Sequence, residues 1–69
     1  MKQEEQILIE AGIRITAIRL MVLREIINYD HAFTLYDMEQ RMGTLDRSTL
    51  FRTLMAFVEH RLLHEVDNG

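Results

Sequence analysis

Asp46-Arg47-Ser48-Thr49-Leu50-Phe51-Arg52-Thr53-Leu54 is the stretch whose reading decides the fold. Asp46 is a helix N-cap by type: its carboxylate can accept the orphan N–H groups of the first turn. Leu50, Leu54, Phe57 and Val58 then recur at i, i+4, i+7 and i+8, the period of a buried helical stripe. Ser48, Thr49, Arg52 and Thr53 fall on the opposite face. Most polar helix faces are simply solvated, and taken alone this one reads the same way. Small hydroxyls near a helix N-terminus, with an arginine one turn on, are also what a helix in a DNA major groove presents to phosphates and base edges.

Upstream, the chain breaks into three further helical segments. Residues 2 to about 11 place Ile7, Leu8 and Ala11 on one face, and Gly12 follows as a C-terminal cap. Thr16 caps a second helix, about Ala17–Tyr29, with Leu20, Leu23, Ile26 and Ile27 at helical spacing. Thr34 with Asp37 three residues on resembles a capping box, Asp standing for the usual Glu or Gln. It opens a third helix, about Leu35–Met42, closed by Gly43. The fourth helix runs about Arg47–Arg61. Third helix, short glycine-containing turn and fourth helix follow the helix-turn-helix order, in which the second member reads DNA.

Downstream, Leu62-Leu63-His64-Glu65-Val66 is short and apolar with partial alternation, the pattern of a strand. Asp67-Asn68-Gly69 ends on Asn-Gly, a hairpin-turn signal. The expected fold is therefore mainly α: a winged helix-turn-helix of about four helices followed by an incomplete β-hairpin wing. A hairpin lacking its second strand implies that the parent polypeptide continues.

Composition bounds the function. With 69 residues the chain is one small domain, residues 1–69, whose core must be dense. Hydrophobic residues make up 48%, enough for such a core, and the absence of Cys excludes disulfides and thiolate metal sites. No apolar run reaches membrane-spanning length and Met1-Lys2-Gln3-Glu4-Glu5 is no signal peptide, so the expectation is a cytoplasmic protein with no membrane partner. Net charge is −3, unfavourable for a nucleic-acid partner, but its distribution is uneven. Residues 11–24 carry Arg14, Arg19 and Arg24 with no acid, whereas residues 25–46 carry Arg41 against Glu25, Asp30, Asp37, Glu39 and Asp46. The positive charge thus collects around residues 11–24 and in the arginines of the fourth helix. Affinity for DNA from one copy should be modest and salt-sensitive.

Three pieces, in order, resemble the N-terminal half of the ferric-uptake-regulator (Fur) family of repressors. They are Ala11-Gly12-Ile13-Arg14-Ile15-Thr16-Ala17-Ile18-Arg19-Leu20, Ser48-Thr49-Leu50-Phe51-Arg52-Thr53-Leu54 and Leu62-Leu63-His64-Glu65-Val66-Asp67. The resemblance spans about Ala11 to Asp67. It implies the DNA-binding domain of a metal- or peroxide-responsive transcriptional regulator, which binds A/T-rich inverted repeats in double-stranded DNA as part of a homodimer. In that family a separate C-terminal domain dimerises and carries most metal ligands. A metal ion (Fe, Zn or Mn) is accordingly expected for the full-length parent and no cofactor within this chain.

The resemblance also implies roles. Arg14 matches a basic position that reaches a phosphate or an A/T-rich minor groove, and Arg19 an arginine on the DNA backbone. Their structural alternatives are a solvated arginine and a salt bridge. Thr16 caps its helix, with a phosphate contact secondary. Arg52 is the leading phosphate contact, because a guanidinium can bind phosphate bidentately. Ser48 and Thr49 touch bases or phosphates, or serve only as first-turn caps. Arg47 lies just past the cap and ranks lower. Two positions depart from the family pattern. Phe51 replaces the usual Tyr, keeping a thymine-methyl contact but losing a hydrogen bond, with core packing as its alternative. Ile18 replaces a Pro that would preset the first turn.

Metal and catalysis find little support. His31 stands near family histidines but Ala32 occupies a ligand position, and His60 and His64 straddle the end of the fourth helix without further ligands. There is no Cys nucleophile, glycine-rich phosphate loop or H-E-x-x-H pattern, and Glu59 and His60, adjacent on a helix, point apart. The expectation is a non-enzyme. The competing function is a winged-helix protein-interaction module without direct DNA binding, favoured by the net negative charge, five methionines and Phe51.

Overall fold

A computed structural model describes residues 2–29 and 33–63. These form four helices: α1 (Lys2–Ala11), α2 (Ala17–Asn28), α3 (Leu35–Arg41) and α4 (Arg47–Glu59). The chain is mainly α, and among the described residues no strand is formed.

Local capping chemistry sets the helix starts. Thr16 Oγ1 accepts the Arg19 N–H at 3.1 Å. Thr34 Oγ1 accepts the Asp37 N–H at 3.1 Å while Asp37 Oδ2 accepts the Thr34 N–H at 2.9 Å, a complete capping box. Asp46 accepts the Ser48 and Thr49 N–H groups.

Two helices end in the same Schellman arrangement. In α1 the Gly12 N–H reaches the Ile9 carbonyl at 3.0 Å and the Ile13 N–H the Leu8 carbonyl at 2.9 Å. Gly12 takes φ +79°, as that turn requires. In α4 the Arg61 N–H reaches Val58 at 3.0 Å and the Leu62 N–H reaches Phe57 at 2.8 Å. Here the left-handed residue is Arg61, φ +67°. The Leu63 N–H also points to the Phe57 carbonyl, at 3.3 Å.

This cap corrects the expected strand at its start. Leu62 and Leu63 spend their amides closing α4, so they cannot open a ladder there. Residues 64–66 of that strand and the Asp67-Asn68-Gly69 turn lie outside the described residues. α4 also stops at Glu59 rather than Arg61, because Arg61 has left helical φ. Gly43 does not close α3: Met42 is the C-cap, its N–H on the Met38 carbonyl at 2.8 Å, and Gly43 lacks a positive φ.

Every helix contributes to one core. Leu8 from α1, Val22 from α2, Met38 from α3, and Leu50, Leu54 and Phe57 from α4 are fully buried. Ile13, Leu23, Leu35 and Met42 complete it. α2 packs against α1 and α4, and α3 packs against α4. Four positions differ from the expected stripes. Val22 takes the centre of α2 while Ile27 is exposed, and Thr53 rather than Val58 joins the buried face of α4. Thr53 loses no hydrogen bond there, since its hydroxyl donates to the Thr49 carbonyl at 2.9 Å.

Candidate functional site

The first turn of α4 is built around Asp46. Its Oδ2 accepts the Ser48 N–H at 3.1 Å, the Thr49 N–H at 3.4 Å and the Ser48 hydroxyl. The Ser48 hydroxyl, then the Thr49 amide, hold the Asp46 carboxyl below the usual carboxylate range, with the Arg52 charge adding to the effect. Ser48 thus donates to the Asp46 cap through both its amide and its hydroxyl. Its proton is committed to Asp46, and its oxygen remains exposed and able to accept.

Ser48 and Arg52 are four apart and both exposed, so they share the outer ridge of α4. The Arg52 side chain makes no hydrogen bond or ion pair among the described residues. The ridge is flanked by two depressions.

On one flank, a cleft of about 300 Å³ is lined by Thr16, Ile18 and Arg19 of the α2 start and by Thr49, Arg52 and Thr53 of α4. Residues more than thirty positions apart meet because α2 packs on α4. Arg19 makes no salt bridge among the described residues: its Nη1 donates to the Arg14 carbonyl at 2.8 Å, which folds the segment before α2 against the helix start. Arg14 itself is exposed, its side chain without a partner among the described residues. Ile18, where a Pro was expected from the resemblance, is half-buried and lines the cleft.

On the other flank, a groove of about 710 Å³ is lined by Leu35, Asp46, Arg47, Ser48 and Phe51. Phe51 is 36% exposed, which removes core packing as its role. Arg47 is paired: its Nε lies 3.0 Å from Glu39 Oε2 on α3.

Of the eight residues singled out, Thr16, Arg19, Thr49 and Arg52 share the cleft and Arg47, Ser48 and Phe51 the groove. Arg14 lines neither and joins the cleft only through its carbonyl. Two contributors escape sequence reasoning. Glu39 has no periodic relation to Arg47, eight residues away across a turn. Leu35 reads only as the start of the third helix, yet it lines the groove.

The described residues hold no group of three His, Cys, Asp or Glu side chains able to bind a metal ion. His60 is described, with Nδ1 2.9 Å from the Ala56 carbonyl; His31 and His64 lie outside the described residues. Among the described residues no helix is long and apolar enough to cross a membrane. No family model, no curated protein and no solved structure matches the chain.

Proposed function

We propose that this chain is a duplex-DNA-reading domain in which α4 enters the major groove and the start of α2 clamps the adjacent backbone. The observation that carries the proposal is the cleft where Thr16 and Arg19 meet Thr49 and Arg52. It brings Arg19, from the acid-free basic residues 11–24, and the hydroxyl-rich start of α4 onto one surface. The helix–turn–helix order of α3 and α4, with an exposed Ser48–Arg52 ridge, supports the same reading.

The Fur resemblance extends the proposal. The domain is a winged helix, in which the wing would follow the α4 cap made at Leu62 and Leu63. It acts within a cytoplasmic homodimer on A/T-rich inverted repeats, in a metal- or peroxide-responsive regulator. The metal (Fe, Zn or Mn) binds the family's C-terminal domain. In this scheme Arg52 binds a phosphate, Arg19 and Thr16 border the strand beside it, and Arg14 reaches backbone or minor groove. Ser48, Thr49, Arg47 and Phe51 face the bases. One half-site per domain gives weak binding, so dimerisation supplies the useful affinity.

The second reading, a protein-interaction module, draws on the groove at Phe51 and Leu35 and on the net charge of −3. Its methionine argument weakens, since Met38 and Met42 are core residues. An amide-shift NMR titration with an A/T-rich palindromic duplex separates the two. Shifts at Arg14–Arg19 and Ser48–Arg52 that fade with salt are expected. A folded domain with no shifts at high duplex excess would transfer the assignment to protein interaction. Charge reversal at Arg14 or Arg52 abolishes binding in the first case and leaves partner binding intact in the second.

A further inference from the structure

We infer that Glu39 and Arg47 form a buttressed base-reading pair, in which α3 holds an α4 arginine end-on toward a guanine. This rests on the DNA-reading proposal above and adds a specificity determinant to it. Arg47 is the first residue of α4, beside the exposed Ser48. The contact to Glu39 uses Nε, at 3.0 Å. A guanidinium carries five N–H donors in a rigid plane, and fixing Nε orients the rest. Its outer edge, with donors from both Nη atoms, makes no other described contact.

The exposures separate the two partners by role. Glu39's side chain is 25% exposed and Arg47's is 67% exposed. The carboxylate sits back against the protein while the arginine projects. An exposed ion pair alone contributes little to stability, about 0–1 kcal/mol. Its consequence here is orientation. A free arginine samples many rotamers and favours phosphate, which every sequence offers. A guanidinium held at Nε presents its two-donor edge in one direction, and that edge matches the O6 and N7 acceptors of guanine in the major groove. Glu39 also places a negative charge behind the arginine, which opposes collapse of the anionic backbone onto this part of α4. Arg52, which has no such carboxylate partner among the described residues, is by contrast suited to phosphate.

Arg47 and Glu39 therefore predict at least one G·C pair inside an otherwise A/T-rich site, read from the first turn of α4. The test is a binding selection from a fully randomised duplex library at low salt, run on the 69-residue chain and on E39Q, R47A and R52A. The wild type should enrich a guanine at one fixed position per half-site. R47A should lose that preference, with about a tenfold or greater fall in affinity for the guanine-bearing site and little change for sites lacking it. E39Q should retain overall affinity while the guanine preference falls several-fold. R52A should weaken all sequences alike.

If the wild type binds duplex but enriches no guanine, or the guanine preference survives R47A, the pair is not a base reader, and DNA binding stands without it. A preference unchanged in E39Q would remove Glu39 from the role. If no member of the library is retained by the folded wild-type chain, the DNA-reading proposal itself fails and this inference with it.

Discussion

Among the described residues, Arg61 is the non-glycine residue held in the left-handed region. It holds φ +67° where Gly12, in the identical position at the end of α1, holds φ +79°. A left-handed L-residue costs roughly 1–2 kcal/mol, partly offset by the larger unfolded-state freedom of glycine. R61G should therefore raise stability by about 0.5–1 kcal/mol, and G12A should lower it by a similar or larger amount, both readable in urea melts. The cost at Gly12 is in the backbone, since an added Cβ would find only ordinary contact, His60 Cδ2 at 4.0 Å. Asp46 gives a pH prediction. Its folded carboxyl titrates below its unfolded value, so its stabilisation is complete above the ordinary carboxylate range, around pH 4. It is lost as pH falls through the lowered folded value. S48A, which removes the leading cause of the depression, should move that loss to higher pH, measured as Tm from pH 6 to pH 2.5. An acid limb of the melting curve identical in S48A and wild type would contradict the assignment.

Among the elements, α3 is the shortest at seven residues and relies on its ends. Its capping box fixes the start. At its last residue, Arg41 lies 3.2 Å from Glu25 of α2 and 4.6 Å above the centre of the Tyr29 ring. Tyr29 in turn meets Phe33 edge to face at 5.9 Å. The ion pair is half exposed and worth little, so the arginine-on-aromatic contact, about 0.5–1 kcal/mol, is the larger part. T34A should destabilise by about 1 kcal/mol through loss of the cap. R41K should lose part of the α2–α3 tie although charge is kept, because a guanidinium stacks on a ring where an ammonium does not. In α4, L54A and F57A empty positions with no exposure and should cost about 3–5 kcal/mol each, enough to unfold a domain of this size. Thermal melts followed by circular dichroism would order these: the α4 core variants unfolded, the cap variant folded with a lowered Tm.

For the whole molecule, charge placement matters more than charge total. A net of −3 repels DNA, yet five of the eleven acids fall in residues 25–46, while Arg19 and Arg52 meet at the cleft. Binding should thus be orientation-dependent and fall steeply with salt. R52A should reduce the slope of log affinity against log salt by about 1, the signature of one lost phosphate contact. An unchanged slope would place Arg52 away from the backbone.

The sequence by itself determined what depends on neighbours two to five positions away. Thr16, Thr34 with Asp37, Asp46 and Gly12 mark helix ends through contacts of that range, so all four helices were legible to within two residues. The acid-free run of Arg14, Arg19 and Arg24 was equally plain. Tertiary packing decided the rest. Whether Val22 or Ile27 turned inward depended on how α2 rolled against α4. Thr53 became buried because its hydroxyl could return to its own helix. Arg19 found the Arg14 carbonyl, and Arg47 found Glu39, through a turn and a helix contact that no periodicity encodes. Leu62 and Leu63 had a strand's composition, but their amides were claimed by the end of α4. The arrangement of the cleft, the ridge and the groove followed from how helices with known faces rotate to fill one core, and that rotation is set by mutual packing, not by any single helix.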